Sequence, residues 1–162
     1  MGLFRRKKHR QPDAEVYSEL RKQVLQLTPT KLGDEVDGPI VALLMETGYP
    51  EAVATLVAVA DGTTSLYFSN GGGVIGAGEH AAVSEANRRW LEVANSVLPQ
   101  LSEVTDPSPP AEGQTQFVAV TREGLRGAGA AEEELGEGQH ALSPLFYAGQ
   151  DVITQIRLVE GG

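Results

Sequence analysis

Glu79 and His80 follow a loop with five glycines in the eight residues from Gly71 to Gly78, and they open an amphipathic helix. Unpaired N–H groups and a partial positive charge gather where a helix begins, so this junction is suited to holding an anion or a partner's backbone. Gly71, Gly73 and Gly76 satisfy the G-x-G-x-x-G spacing of dinucleotide-binding turns. The context does not fit. In that motif a buried parallel strand leads directly into the glycines, and an acidic residue lies about 20 residues further on. Here Asn70-Gly71-Gly72-Gly73 precede Val74-Ile75, leaving two apolar residues where the strand belongs, and the next strand pattern begins near Gln116. No cofactor is expected.

His80 has the chemistry of a general base, but no serine elbow and no histidine at i, i+4 accompanies it. A metal site built from Glu79, His80 and His140 has no spacing to support it. Glu79 is accounted for by the helix dipole. Two readings follow. The first is a non-enzymatic protein-binding or adaptor domain, open to self-association, whose surface is Tyr67, Phe68, Asn70, Gly71, Gly72, Gly73, Gly76, Gly78, Glu79 and His80. The second is a small-ligand or phosphate-binding protein, in the limit a hydrolase, that holds its anion on the amides of Gly76 to Glu79.

Around the junction the chain alternates elements. Pro12-Asp13 starts a helix with Val16, Leu20, Val24 and Leu27 at helical spacing, ended by Thr28-Pro29. Gly33 to Gly38 is a polar connector. Residues 40–46 (IVALLME) and 52–60 (AVATLVAVA) read as buried strands, and Asp61-Gly62 is a tight-turn signal into a third strand, 64–69. The helix over 78–101 places Val83, Ala86, Trp90, Ala94, Val97 and Leu101 on one face, with Trp90 its largest anchor. Residues 102–114 form a Pro-rich surface connector. Residues 116–121 and 125–130 supply a fourth and a weaker fifth strand. Glu132, Glu133, Glu134 and Glu137 belong to a solvated stretch. Ser143-Pro144 begins a last helix carrying Leu145, Ala148, Val152, Ile156 and Val159, with Gly149 a weak point.

This order predicts an α+β domain over 13–160: a mainly antiparallel sheet of about five strands, a long central helix, and N- and C-terminal helices. Tyr67 and Phe68, adjacent in a strand, face opposite sides of the sheet.

Charge is asymmetric. The 162 residues sum to −9, yet residues 1–12 hold five of thirteen Lys/Arg and no acid, so the remainder carries a formal −14. An acidic body argues against nucleic acid as partner. The basic segment (Arg5, Arg6, Lys7, Lys8, Arg10, with Leu3 and Phe4) reads as a disordered solubilising tail; at about 1 kcal/mol per basic residue, it supports at most weak peripheral contact with an anionic membrane. No cysteine is present, which excludes disulfides, thiolate zinc sites and cysteine nucleophiles. No apolar run approaches the roughly 18 residues of a membrane span, and a cytoplasmic address is expected.

The run TSLYFSNGGGVIGAGEH, followed by LSPLFYAGQDVITQIRL, resembles a pattern of small bacterial proteins without an assigned function. The likeness covers most of the chain after the tail and implies that the glycine-rich junction and the last helix form one module. The element order is also loosely similar to profilin-like and roadblock-like domains, scaffolds that bind GTPases or one another. Those place two strands before the long helix and three after it, whereas the patterns here give three and two.

Overall fold

A computed structural model describes residues 14–32 and 38–161. The tail expected at 1–12 and most of the 33–38 connector lie outside the described residues. Helices α1 (Ala14–Leu25) and α2 (Pro29–Leu32) are followed by strands β1 (Ile40–Gly48), β2 (Val53–Val59), β3 (Thr64–Phe68) and β4 (Gly73–Ile75). A 3-10 turn over Ala77–Glu79 leads into α3 (Ala81–Val97), and a second over Leu98–Gln100 into β5 (Ser102–Val104). Strands β6 (Gln114–Thr121) and β7 (Gly124–Ala131), then helices α4 (Glu132–Gly136) and α5 (Ser143–Gly161), complete the order.

The class is α+β with an antiparallel sheet, but the sheet has seven strands in the order β4-β3-β2-β1-β6-β7-β5 rather than about five. Both extra strands are edge strands of three residues. Periodicity cannot register so short a segment, and both sit in composition that reads as loop: β4 among the glycines, β5 at the head of the Pro-rich connector. Four strands therefore precede the long helix and three follow it.

Strand β1 lies at the centre and is buried along all nine residues, because both of its faces are covered. On one face Leu43, Met45, Leu56, Leu66 and Phe117 pack against Trp90 and Ala94 of α3 and against Leu145, Val152 and Ile156 of α5. Trp90 is fully buried, and its indole N–H donates to the Leu145 carbonyl at 3.1 Å, which ties α3 to α5. On the other face Ala42, Leu44, Val57, Val118 and Val120 pack against Tyr17 and Val24 of α1. The buried stripe of α1 is Tyr17, Arg21 and Val24, with Leu20 half-buried; Val16, expected on that stripe, is 43 % exposed. An arginine in the middle of the true stripe is what displaced the phase of the apolar reading.

The Asp61-Gly62 turn forms as its residues dictate. Gly62 adopts φ +100°, the Asp61 carboxylate accepts the Thr63 N–H at 2.9 Å, and Val59 donates to the Thr63 carbonyl at 2.8 Å. Asn87 of α3 is buried and donates to the Thr64 hydroxyl at 2.5 Å, holding the central helix to this turn. No helix among the described residues is long and apolar enough to cross a membrane.

Candidate functional site

The glycine-rich junction forms an edge of the sheet. Phe68 donates to the Gly72 carbonyl at 3.3 Å and Gly71 to the Phe68 carbonyl at 3.0 Å, so the chain reverses within Ser69–Gly71 and returns as β4. Positive φ at Gly71 (112°), Gly72 (85°) and Gly73 (145°) makes this reversal a glycine sequence. Gly73 has a second constraint, since a Cβ there would overlap the Leu66 carbonyl of β3. Gly78 is held by packing alone: its Cβ would overlap the Gly62 carbonyl and sit 3.1 Å from the Thr64 hydroxyl. Thus the start of α3 lies directly on the β2–β3 turn.

The register Tyr67↔Gly73, Leu66↔Val74, Ser65↔Ile75 continues from the Phe68–Gly72 bond. Antiparallel ladders alternate, so Val74 turns its N–H and C=O toward β3, while Gly73 and Ile75 turn theirs outward. Among the described residues β4 pairs only with β3. Ile75 is 38 % exposed, Val74 is half-buried against the main core, and no charged residue or proline falls between Gly71 and Gly76.

The side chains named from the sequence divide into two groups. Asn70, Glu79 and His80 are exposed. Phe68 is half-buried on the main core, and Tyr67 is buried on the opposite face, where α1 covers it. The Glu79 amide, one of the donors expected to hold an anion, donates to the Gly76 carbonyl at 3.4 Å, and the His80 amide to that of Ala77 at 3.1 Å. His80 occupies the N-cap of α3 without a side-chain capping bond. His140 does not meet it; its Nδ1 accepts the Leu142 N–H at 3.0 Å at the entry to α5. No cluster of three or more metal-binding side chains occurs among the described residues.

A second polar feature lies beneath α1. One row of the sheet runs Gly73–Tyr67–Thr55–Glu46–Gln116–Gly129 through the registers of six strands. At its centre Glu46 is fully buried. Oε2 accepts from Arg21 Nε at 2.6 Å and Thr55 Oγ1 at 2.9 Å; Oε1 accepts from Arg21 Nη2 at 2.9 Å and Gln116 Nε2 at 3.1 Å. Because the Thr55 proton goes to Glu46, the 2.7 Å contact between Tyr17 and Thr55 has the phenol as donor. Burial depresses the Arg21 guanidinium, but the bond and charge of Glu46 outweigh it and the net shift is upward. Burial pushes the Tyr17 phenol up to about 12, against the lowering effect of its Thr55 bond; Tyr67 is likewise pushed up to about 12 by burial, with Tyr17 adding. Four donors occupy the carboxylate's lone pairs, which leaves Glu46 no free position from which to take a proton or bind a metal. This cluster fastens a helix to a sheet.

The sequence did carry a signal for it. Arg21 stands at i+4 from Tyr17, and Glu46 ends an apolar strand flanked by threonine; two opposite charges on two buried faces call for each other. Comparison with known proteins adds no assignment: no protein-family model, curated protein or solved structure matches this chain.

Proposed function

We propose that this chain is a non-enzymatic protein-recognition domain whose contact surface is the outer edge of β4 together with the loop Asn70–His80. The observation that carries the reading is the unguarded edge. Edge strands in soluble proteins are commonly blunted by shortness, charge, proline or a covering element; β4 is short, at three residues, but carries neither charge nor proline and pairs with no strand beyond it among the described residues. Its outward N–H and C=O groups at Gly73 and Ile75 are what an added strand pairs with, and Ile75 offers an apolar side chain beside them. Exposed Asn70, Glu79 and His80 flank the edge as polar contacts. Tyr67 contributes from below by setting the register of Gly73 rather than by touching the partner.

The test uses Ile75→Pro, which deletes one outward donor and leaves the β3–β4 bonds of Val74 in place, with His80→Ala as a flank variant. Partners retained by immobilised wild-type protein should be lost with Ile75→Pro and weakened with His80→Ala, while circular dichroism is unchanged. Identical retention by all three proteins would dismiss the reading.

A further inference from the structure

Glu46 occupies only one side of the Arg21 guanidinium, the side formed by Nε and Nη2. A guanidinium presents five N–H donors in a planar fork, so its outer end, between Nη1 and Nη2, is left over. Nη1 meets no acceptor among the described residues, and no fully enclosed side-chain nitrogen or oxygen there lacks a partner. This amino group is therefore part of the 8 % of Arg21 that stays exposed. Arg21 borders a cleft of about 370 Å³ between α1 and the connector after β5, with Lys22, Leu25, Asp106, Pro107 and Leu125 around it. Both walls are tied to one carboxylate. Arg21 fastens α1 to Glu46, and Gln116, which donates to Glu46 at 3.1 Å, also donates to the Ser108 carbonyl of the connector at 2.9 Å. The cleft is thus preformed, and its volume lies within the roughly 300–1,000 Å³ of small-ligand sites.

Charge is divided between the walls. The helix side carries Lys22 and the outer end of Arg21, and the connector side carries Asp106. Leu25, Pro107 and Leu125 are half-buried apolar surface. We infer that this cleft binds a small zwitterion with an aliphatic body, the chemistry of a free α-amino acid. Its carboxylate accepts from the outer end of Arg21 beside Lys22, its ammonium faces Asp106, and its side chain lies on Leu25, Pro107 and Leu125. A simple anion would confront Asp106, and a simple cation would confront Lys22 and leave the arginine end unpaired. With Arg21 matched by Glu46, Lys22 and Asp106 cancel, so a ligand of zero net charge suits the site. The cleft lies toward β7, across the sheet from β4, and the inference is independent of the edge reading.

The probe is L-leucine, followed by isothermal titration calorimetry on the full chain. Two ligands keep its body and lose one charge, 4-methylpentanoate and 3-methylbutylamine. Leucine should bind, and each of the other two should bind more weakly by about tenfold or more. Asp106 has φ +50°, a left-handed backbone that asparagine also tolerates, so Asp106→Asn removes the charge and keeps the fold. That variant should weaken leucine by about tenfold or more and leave 4-methylpentanoate no weaker. Lys22→Gln, at an exposed position, should weaken both carboxylate ligands alike. Arg21→Met/Glu46→Leu should abolish binding with circular dichroism unchanged. Absence of leucine binding, or leucine affinity unchanged in Asp106→Asn, would overturn the inference. Binding of 4-methylpentanoate as tight as that of leucine would overturn the zwitterion, and leucine binding retained in Arg21→Met/Glu46→Leu would place the ligand elsewhere.

Discussion

Arg21 and Glu46 meet as a two-point ion pair inside the protein, Nε to Oε2 at 2.6 Å and Nη2 to Oε1 at 2.9 Å. The guanidinium belongs to the helix that covers one face of the sheet, and the carboxylate to the central strand. Removing one partner strands the other charge in a buried site, a loss of about 3–5 kcal/mol. Arg21→Ala and Glu46→Ala should each lower the urea midpoint by that equivalent. The double variant Arg21→Met/Glu46→Leu should recover most of it, since an apolar pair needs no compensation. Single variants costing under about 1 kcal/mol, the range of exposed pairs, would show that water reaches the site.

Alkaline pH tests the same helix from its other anchor. Tyr17 and Tyr67 are both pushed up to about 12, so the folded state holds their protons more tightly than the unfolded chain, where phenols titrate near 10. Stability from these groups is fully present below pH 10 and is lost as pH rises through about 12. Near-ultraviolet phenolate absorbance should show two late-titrating groups, coincident with loss of Trp90 burial. Tyr17→Phe and Tyr67→Phe should each remove one. A phenolate forming near 10 in folded protein that disappears in Tyr17→Phe or Tyr67→Phe would contradict the burial described.

Gly76 and Gly78 separate strain from packing. Gly76 has φ +79° but open space around its missing Cβ, so Gly76→Ala should cost about 1–2 kcal/mol for the left-handed backbone alone. At Gly78 the added methyl meets the Gly62 carbonyl, which is backbone and cannot swing aside. Gly78→Ala should cost more than Gly76→Ala and raise amide exchange in the Asp61-Gly62 turn. Equal effects in thermal unfolding would refute the contact.

Gly149 reverses a helix rule. Alanine is favoured over glycine within a helix by about 1 kcal/mol. Here its methyl would lie 2.8 Å from Met45 Sδ and 3.1 Å from Trp90 Nε1. The Met45 end can swing aside but the Trp90 indole is held by its bond to the Leu145 carbonyl, so Gly149→Ala should forfeit the helix gain and shift Trp90 emission. In a Met45→Val background the sign should turn favourable, which a double-mutant cycle reads directly.

Residues with strong periodicity declared their places in the sequence. Val83, Ala86, Trp90, Ala94, Val97 and Leu101 are all buried, as their spacing requires, and Ser143-Pro144 begins α5. The Asp61-Gly62 turn was legible because its chemistry is local. The three-residue strands Gly73–Ile75 and Ser102–Val104 were not, because they are defined by a neighbour's ladder rather than by their own pattern. Nor was the covering of Tyr67. Alternation places a side chain on a face but does not say what lies over that face, and the answer depended on Arg21 being an inward residue of α1. The exposed members of the candidate surface, Asn70, Glu79 and His80, were legible as loop and helix-start residues; that they adjoin an edge strand among the described residues follows only from the pairing of β4.

The central pairing of β1 with β6 joins residues far apart in the chain; the Thr47–Thr115 hydroxyl contact at 2.9 Å spans 68 positions. Strands β1 to β4 pair with sequence neighbours through short turns, whereas closing β6 onto β1 carries the larger loop-closure cost, so that pairing is expected to form last. Until it does, the run Ile40–Met45, six apolar residues without charge or proline, has one open side. Such a segment is a nucleus for intermolecular cross-β pairing. Glu46 ends the run with a charge, which would resist stacking of identical chains while it is unpaired; paired with Arg21, the same carboxylate anchors the folded domain.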